Sequence, residues 1–241
     1  MGLKITKLQT KKPVYDVTVQ DNQNFYANNA VVHNCTEIAL YTDELHSFIC
    51  CLSSLNLARW DEWKDYKFEN GMTLPEVACW FLEGVLQEFI DRAKNIKGRA
   101  IGIGVLGWHT LLQSKGLPFI GLQANALTTN IFEFIEREAL KASREQAEIY
   151  GEPEWCKGTG LRHSHHLAIA PTVSNAHISG GVSPSIEPIP ANVYNLKTAK
   201  GVFIKRNKIL EELLQSKGYN IDSVWEQILK DQGSVIGLPD Y

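Results

Sequence analysis

The chain changes character near residue 35, and this change is the strongest constraint on how it folds. Residues 1–34 carry only short β signals: VYDVTV, from Val14 to Val19, predicts a strand, DNQN a turn, and NFYA and AVVH further short strands. This segment has too little apolar mass for a core of its own, so it requires a partner. We therefore predict two domains, residues 1–34 and residues 35–241.

Beyond residue 35, helical patterns alternate with a few short strands, which is typical of an α/β protein. After a loop-like stretch to about Lys67, apolar residues recur at helical spacing from Leu74 to Phe89. Thr73 and Glu76 form a capping-box pattern at the start of this helix. Further helices are predicted over residues 101–116, 123–150, 205–217 and 221–231. A strand is predicted at HLAIAP, whereas TVSNAHISGGVSPSIEPIP has too many Ser, Gly and Pro residues for regular structure.

The charge balance excludes some classes of partner. The chain has 24 Lys and Arg residues against 27 Asp and Glu residues, so its net charge of -3 gives no strong attraction to nucleic acid or to an anionic membrane. Any phosphate site must therefore be a shaped one. The sequence has no apolar run of membrane-spanning length and no signal-peptide pattern, which favours a cytoplasmic protein. The five cysteines lack disulfide-scaffold or zinc-site spacing and are expected to be reduced thiols.

The tripeptide His33-Asn34-Cys35 combines three groups that can rearrange a peptide bond. The carboxamide of Asn34 can attack its own backbone carbonyl, which closes a succinimide and breaks the bond to Cys35. The imidazole of His33 can polarise that carbonyl and protonate the leaving nitrogen. The Cys35 thiol can accept an acyl group. The tripeptide is therefore a candidate site of cleavage and ligation.

The residues around this tripeptide resemble the last two sequence blocks of inteins. KPVYDVTVQDNQNFYANNAVVHNC has the aspartate-bearing strand, the NF-A-N turn and the V-H-N-C ending of those blocks. The resemblance implies a small all-β, Hint-type segment in which Asp16 assists acyl transfer. It also implies that His33 assists cyclisation of Asn34 and that Cys35 is the first extein nucleophile.

Two positions depart from the intein pattern. Gln23 replaces a frequent histidine, which removes one proton carrier for cyclisation, and Asn29 replaces a usual glycine. The opening half of an intein is absent, and Met1 begins the chain shortly before the junction. We therefore expect the C-terminal half of a split intein, which splices in trans, with a truncated sequence as the alternative.

From Cys35 onward the sequence resembles the large subunits of ribonucleotide reductases. The resemblance runs through CTEI, FICCLSSLNL, RAIGIGVLGWHTLL, GLRHSHHLAIAPT and SGGVSPSIEPI. It implies a ten-stranded α/β barrel with a radical cysteine on a central finger loop, of which residues 35–241 supply the C-terminal part. The upstream strands, the nucleotide-effector site and a second redox cysteine are expected in another polypeptide.

The same resemblance assigns roles to individual residues. Cys35 carries a thiyl radical that abstracts the 3′ hydrogen of a ribonucleotide, and Glu37 is a base for the 3′-hydroxyl. Cys50 is one of two thiols that reduce the substrate and end as a disulfide. Cys51 points away from Cys50 if the segment is extended. We assign three cysteines to packing or to the surface: Cys51, Cys79 and Cys156.

Pro171-Thr172-Val173-Ser174-Asn175 matches the diphosphate-binding loop of the family. Backbone N–H groups in such a loop bind phosphate without a large positive charge. The side chains expected to contact the diphosphate are those of Thr172, Ser174 and Asn175, and a plain surface turn is the alternative.

Two other patterns do not indicate ligand sites. The histidines of RHSHH, at residues 163, 165 and 166, have no cysteine or carboxylate to complete a metal set, so we predict a solvated or packed loop. The glycines of residues 102–107 do not form a dinucleotide-binding fingerprint.

The resemblances imply several partners and no cofactor bound by this chain. The radical would come from a diiron or dimanganese small subunit, or from cobalamin. Further expected partners are the N-terminal half of the intein and reductase, a ribonucleoside diphosphate, and thioredoxin or glutaredoxin. A second hypothesis of a different class is a non-catalytic fragment or assembly piece with an inactive intein remnant.

Overall fold

The computed structural model describes residues 24–27, 30–33, 40, 44–46, 48–90, 97–198 and 201–238. The chain divides into two units, Met1–Thr36 and Glu37–Tyr241, which are described separately. In the first unit, β1 (Asn24–Ala27) and β2 (Ala30–His33) pair in antiparallel orientation. These two strands confirm the predictions at NFYA and AVVH. The predicted strand at residues 14–19 lies outside the described residues.

The second unit is built on a parallel sheet of three strands in the order β3–β4–β5. These strands are β3 (Cys50–Asn56), β4 (Ala100–Leu106) and β5 (His165–Leu167). Each crossover between them contains a long helix, α2 (Leu74–Ile90) before β4 and α4 (Leu122–Tyr150) before β5. Parallel strands with helical crossovers confirm the α/β prediction.

The central strand β4 corrects the prediction of a helix that begins at residue 101. All seven residues of β4 are buried, because a parallel strand covered on both faces carries no polar alternation to distinguish it from a buried helix. Its glycines allow neighbouring chain to approach closely. A Cβ on Gly102 would lie 2.5 Å from Cδ2 of Leu52 and 2.6 Å from Cβ of Ala168. Only the second half of the predicted segment is helical, as α3 (Trp108–Ser114).

One face of the sheet packs against the helices and forms the main core. Because side chains alternate along a strand, this face carries every second residue of β3 and β4. The buried sheet residues are Cys51, Leu55, Ile101, Ile103 and Val105. The helical residues in the same cluster include Cys79, Leu82 and Leu86 of α2 and Ile131, Ile135 and Ala139 of α4. The opposite face carries Cys50, Leu52 and Asn56, and Leu52 is 41% exposed.

The start of α2 confirms the predicted cap. The backbone N–H and the hydroxyl of Thr73 both donate to Oε2 of Glu76, over 2.6 and 2.8 Å. Glu76 is buried, and Lys141 of α4 donates to its other oxygen over 2.7 Å. The cap therefore also ties α2 to α4.

The prediction of a loop from residue 35 to about Lys67 is wrong for the second half of that stretch. This stretch contains β3, a 3-10 turn at Leu57–Arg59 and the short helix α1 (Trp60–Trp63). The aromatic rings of α1 pack against each other, with Trp60 and Trp63 at a centroid separation of 4.8 Å. Elements as short as these contain too few residues to show a periodic pattern of apolar residues.

The C-terminal part forms a smaller layer with its own apolar cluster. Strands β6 (Val193–Thr198) and β7 (Gly201–Arg206) form a hairpin that the sequence patterns did not indicate. Helices α6 (Lys208–Ser216) and α7 (Asp222–Lys230) confirm the two predicted C-terminal helices. The cluster consists of Val193, Leu214, Val224, Trp225 and Ile228.

Two other observations complete the fold. The Ser-, Gly- and Pro-rich stretch predicted to be irregular contains a six-residue helix, α5 (Val173–Ile178). Of the helices in the described ranges, none has the length and apolar character needed to cross a bilayer.

Candidate active site

Three connections meet where the parallel strands of the second unit end. Asn56 ends β3, Gly107 follows β4, and Pro171 and Thr172 lead from β5 into α5. The Asn56 side chain donates to the carbonyl of Ser179, 3.2 Å away, which joins the first connection to the end of α5. Ligands of open α/β sheets commonly bind outside the carboxyl ends of the strands. This edge is therefore the candidate site.

A segment at residues 183–185 binds the connection after β4. Gly107 N–H donates to the carbonyl of Ser183 over 2.8 Å. The hydroxyl of Ser183 accepts from Thr110 N–H over 3.1 Å, and Ser183 N–H donates to the hydroxyl of Thr110 over 2.9 Å. Ser183 is fully buried. These bonds satisfy N–H groups in the first turn of α3, which have no partner within the helix.

The same segment binds the connection after β5. Ser185 N–H donates to the hydroxyl of Thr172 over 2.7 Å, and both residues are buried. Ser185 has a φ of 44°, a left-handed conformation that is uncommon for residues other than glycine. The segment therefore lies between two of the three connections and holds them together.

The predicted diphosphate loop divides into exposed and buried residues. Pro171, Val173, Ser174 and Asn175 are exposed, whereas Thr172 is 4% exposed. Ser174 and Asn175 lie in the first turn of α5, and their side chains are open to a ligand. The structure thus keeps the predicted residues together but gives Thr172 a different environment.

Cys50 and Cys51 lie on opposite faces of β3. Cys50 is half-buried on the face away from the helices, whereas Cys51 is buried in the core. Burial raises the pKa of the Cys51 thiol and raises that of Cys79 to about 12. Cys156 is also buried, and burial raises its pKa. The three cysteines assigned to packing are thus buried thiols that resist ionisation.

Four of the other predicted site residues lie outside the described residues: Asp16, Asn34, Cys35 and Glu37. His33 is the last residue of β2, and only its strand pairing with Asn24 is described.

A buried charged cluster lies at the opposite, amino ends of the strands. The carboxylate of Glu83 accepts from Arg99 Nε over 3.0 Å, from Arg162 Nε over 2.9 Å and from His163 Nε2 over 2.9 Å. Burial would raise the pKa of Glu83, but the hydrogen bonds from His163 and Arg162 and the charge of Arg99 outweigh it and lower the pKa to about 2. Glu83 is therefore an anion that joins α2 to the starts of β4 and β5.

The prediction of a solvated or packed loop for the histidines at residues 163, 165 and 166 is wrong in part, because His165 and His166 lie in β5, while His163 before the strand is buried. Burial lowers the pKa of His163 despite the opposing effect of Glu83. The neutral ring then donates from Nε2 to Glu83, and Nδ1 accepts from the Ser143 hydroxyl over 3.3 Å. Burial and the nearby His163 lower the pKa of His166 to about 4. Among the described residues, no three His, Cys, Asp or Glu side chains are grouped in a way suited to a metal ion.

Comparison with known proteins decides the family. The family model of the ribonucleotide reductase barrel domain matches residues 13–159 and 153–241. The chain belongs to this family.

The relatives of this barrel domain are much longer proteins. The large subunit of ribonucleoside-diphosphate reductase from Invertebrate iridescent virus 3 is 39% identical, over 83% of this chain and 33% of the relative. The corresponding subunit from Invertebrate iridescent virus 6 is 35% identical, over 99% of this chain and 25% of the relative. The solved Actinobacillus ureae class Id ribonucleotide reductase alpha subunit has a TM-score of 0.76 and 41% identity, over 86% of this chain and 39% of that chain. The chain thus spans a quarter to two fifths of the length of these relatives.

Several residues of this candidate site and of the charged cluster were not found by sequence reasoning. Thr110, Ser183 and Ser185 act through hydrogen bonds between segments far apart in sequence, and no local pattern indicates such bonds. Asn56 lies in the LSSLNL stretch. The family resemblance includes this stretch, but it assigns no role to the asparagine. The Glu83 cluster joins residues 16 to 80 positions apart, and only a known fold would reveal it.

Proposed function

We propose that residues 35–241 form the C-terminal part of the catalytic barrel of a ribonucleoside-diphosphate reductase large subunit. One observation carries the proposal. Cys50 lies on the open face of β3 at the amino end of the strand, and the predicted diphosphate loop follows β5 at the carboxyl edge of the same sheet, in a chain that is 39% identical to a reductase large subunit over 83% of its length.

The chemistry requires one radical thiol, one base and two reducing thiols. A thiyl at Cys35 takes the 3′ hydrogen of the ribose while Glu37 takes the proton of the 3′-hydroxyl. The 2′-hydroxyl then leaves as water. Cys50 and a second cysteine outside this chain supply two electrons and two protons, of which one proton completes the departing water and the other goes to C2′, and the two thiols become a disulfide. Cys35 then returns the hydrogen to C3′, and Glu37 returns the proton to the 3′-oxygen. The sum is one ribonucleotide and one dithiol converted to one deoxyribonucleotide, one disulfide and water.

The strand register explains why Cys50, and not its neighbour, would be the reducing thiol. Residues of a strand alternate between the two faces of the sheet, and Cys51 is in contact with the helical core. A thiol in that position is closed to substrate and to a reductant. Cys50 lies on the face that α2 and α4 leave uncovered.

The diphosphate would be held by exposed polar groups of the loop Pro171–Asn175. Ser174 and Asn175 offer a hydroxyl and a carboxamide to solvent, together with backbone N–H groups of the same turn. Uncharged donors of this kind suit a chain with a net charge of -3, because they bind phosphate without requiring a basic patch.

The active enzyme would need the rest of the barrel and several partners. We place the upstream strands, the effector site and the second redox cysteine in the N-terminal half. The radical would come from a small subunit with a diiron or dimanganese centre, or from cobalamin, and thioredoxin or glutaredoxin would reduce the disulfide. The assembled enzyme would act in the cytoplasm.

We further propose that residues 1–34 are the C-terminal half of a split intein. Asp16, His33, Asn34 and Cys35 would carry out splicing in trans, and the succinimide formed at Asn34 would release the segment. Residues 35–241 are 207 of the 241 residues, or 86% of the chain. The match to the solved alpha subunit covers the same fraction, whereas the match to the Invertebrate iridescent virus 6 relative covers 99% of the chain. The family match begins at residue 13 and therefore includes part of this segment.

Mass spectrometry tests the splicing proposal. The chain is mixed with an N-terminal reductase fragment fused to the complementary intein half, and we expect a ligated product that lacks residues 1–34. Asn34→Ala should prevent the release of this segment. A mixture that stays unligated would favour the non-catalytic fragment with an inactive intein remnant.

A turnover assay tests the reductase proposal on the ligated product. With the small subunit and a dithiol reductant, it should convert a ribonucleoside diphosphate to the deoxy form, whereas the unligated chain should not. Cys50→Ser should splice normally and lose turnover by several orders of magnitude, since one of the two reducing thiols is gone. Turnover by the Cys50→Ser product would refute the assignment of Cys50.

A further inference from the structure

One side chain links the strand that carries Cys50 to the end of α5. Asn56 is the last residue of β3 and lies on the same open face as Cys50, since the residues of a strand alternate between its faces. Its Nδ2 donates to the carbonyl of Ser179 over 3.2 Å. Ser179 directly follows α5, where carbonyl groups lack partners within the helix. Asn56 therefore caps α5 from a separate strand.

The conformation of Asn56 is fixed by two further hydrogen bonds. Its Oδ1 accepts from Ala58 N–H over 3.1 Å, which caps the 3-10 turn after β3. Its backbone carbonyl accepts from Nε1 of Trp63 over 2.9 Å, and the Trp63 ring is buried. A carboxamide whose oxygen is held by Ala58 presents its nitrogen to Ser179. The link to α5 is thus a fixed one.

The connection after β4 closes around the same side chain. A Cβ on Gly107 would lie 3.1 Å from Oδ1 of Asn56 and 3.1 Å from the backbone nitrogen of Ala58. Gly107 has a φ of 84°, a conformation that favours glycine. The three connections at the carboxyl edge of the sheet therefore converge on Asn56.

We propose that Asn56 is a positioning residue of the reductase site, which acts through α5 and sets where the predicted diphosphate loop lies relative to Cys50. The strand that Asn56 ends carries the proposed reducing thiol, and the helix that it caps carries Ser174 and Asn175 in its first turn. The inference rests on the proposed reductase function.

Amide hydrogen exchange on the full chain without substrate tests the link to α5. Asn56→Asp still accepts from Ala58 N–H and is an equally good cap, so the urea midpoint should stay within error. It has no donor for the Ser179 carbonyl. The amides of Ser179 and Gly181, which bond back into α5, should exchange about fivefold faster, while the Ala58 amide keeps its protection.

Two other variants separate the lost bond from side effects. Asn56→Ser is also a cap residue, lacks the reach to Ser179 and adds no charge, so it should behave like Asn56→Asp. Asn220→Asp is the matched control in the C-terminal layer. Nδ2 of Asn220 donates to Gln215 and its Oδ1 accepts from Trp225 Nε1, so this change also removes one amide donor and keeps the acceptor. It should leave exchange in α5 unchanged.

Steady-state kinetics on the ligated enzyme measure the consequence for the reaction. With Asn56→Asp we expect kcat to fall about tenfold, while KM for the ribonucleoside diphosphate changes less than about threefold. The phosphate-binding groups move together with α5 and keep their affinity, whereas the ribose that they hold is displaced from Cys50. Asn220→Asp should change neither constant.

Faster exchange at Ser179 and Gly181 together with a lower kcat would support the inference. Unchanged exchange would overturn it, because Asn56 would then not act through α5, and a raised KM in that case would make Asn56 a direct contact. Faster exchange with unchanged kinetics would also overturn it, since the role would be structural only. A ligated wild-type enzyme without turnover would overturn the proposed function and this inference with it, whereas wild-type turnover with an unaffected variant would overturn this inference alone.

Discussion

The two ends of the parallel sheet are held by polar groups of opposite character. At the amino ends, one buried carboxylate, that of Glu83, joins Arg99, Arg162 and His163. The candidate site lies at the carboxyl ends. There, the described bonds between Thr172 and Ser185 and between Thr110 and Ser183 join hydroxyl groups to backbone amides, without a charged side chain.

The difference follows from what each end has to do. A buried ion cluster is stable only when every charge is compensated, so its members cannot move apart without a large penalty. Hydroxyls and amides lose less when a bond lengthens. A charged cluster therefore suits the end that fixes the strands, and neutral bonds suit the end where loops must adapt to a ligand. The comparison predicts a large, pH-sensitive contribution to stability at one end and a smaller one at the other.

The largest expected effect is that of Glu83→Gln. The substitution keeps the volume but leaves Arg99 and Arg162 buried near a neutral group whose N–H atoms also face donors. Removal of one member of a buried ion cluster typically costs about 3–5 kcal/mol. We expect the free energy of unfolding of the full chain, measured by urea denaturation, to fall by that amount.

An exposed pair provides the matched control for this change. Glu62→Gln also removes a carboxylate paired with an arginine, Arg59, but both side chains are largely exposed. Its effect on the urea midpoint should be within error, since such pairs contribute little. Equal losses for Glu83→Gln and Glu62→Gln would contradict the special role of the charged end.

The second effect is a loss of stability in acid that originates at the charged end. The folded pKa of His166 is about 4, below its ordinary value of 6.5. Between these two values the unfolded chain binds a proton that the folded chain does not, so stability falls as pH falls from 6.5 to 4. The contribution is at most about 1.4 kcal/mol per pH unit.

Urea titrations at a series of pH values measure this slope. His166→Phe removes the titrating group from a packed position and should flatten the curve between pH 6.5 and 4. Between pH 7 and 8 the variant and the wild type should run parallel. A variant as acid-sensitive as the wild type in the lower range would assign the loss to other groups. Glu83, whose folded pKa is about 2, acts in the range below 4.5.

The sequence predicts long elements of this fold and misses short or doubly buried ones. The Leu74–Ile90 helix carries a periodic pattern and a capping box, and both are present in the structure. The β4 strand is buried on both faces, so its pattern of apolar and small residues resembles that of a helix. The β6–β7 hairpin has exposed apolar residues such as Phe203, 50% exposed, and does not show the alternation that identifies a half-buried strand.

Prediction of the site was limited by the range of its contacts. Cys50 and the loop at residues 171–175 are proposed as site residues because a family resemblance names them, and they stay predictions. The hydrogen bonds that Ser185 N–H donates to Thr172 and that His163 Nε2 donates to Glu83 join residues 13 and 80 positions apart, respectively. Their partners depend on how the crossovers place the strands, which no local pattern contains.

The smallest expected effect tests the neutral end directly. Ser183→Ala removes the hydroxyl that accepts Thr110 N–H in the first turn of α3, but the bond from Ser183 N–H to the Thr110 hydroxyl remains. Loss of a capping hydroxyl typically costs about 1 kcal/mol, so urea denaturation should show a loss of unfolding free energy several times smaller than that of Glu83→Gln.

Ser216→Ala, which removes an exposed hydroxyl bonded to Leu213, is the control and should show no measurable loss of unfolding free energy. If Ser183→Ala destabilised the chain as much as Glu83→Gln, the carboxyl end would be as rigidly fixed as the amino end. The explanation of the two polar arrangements by ligand adaptation would then be wrong.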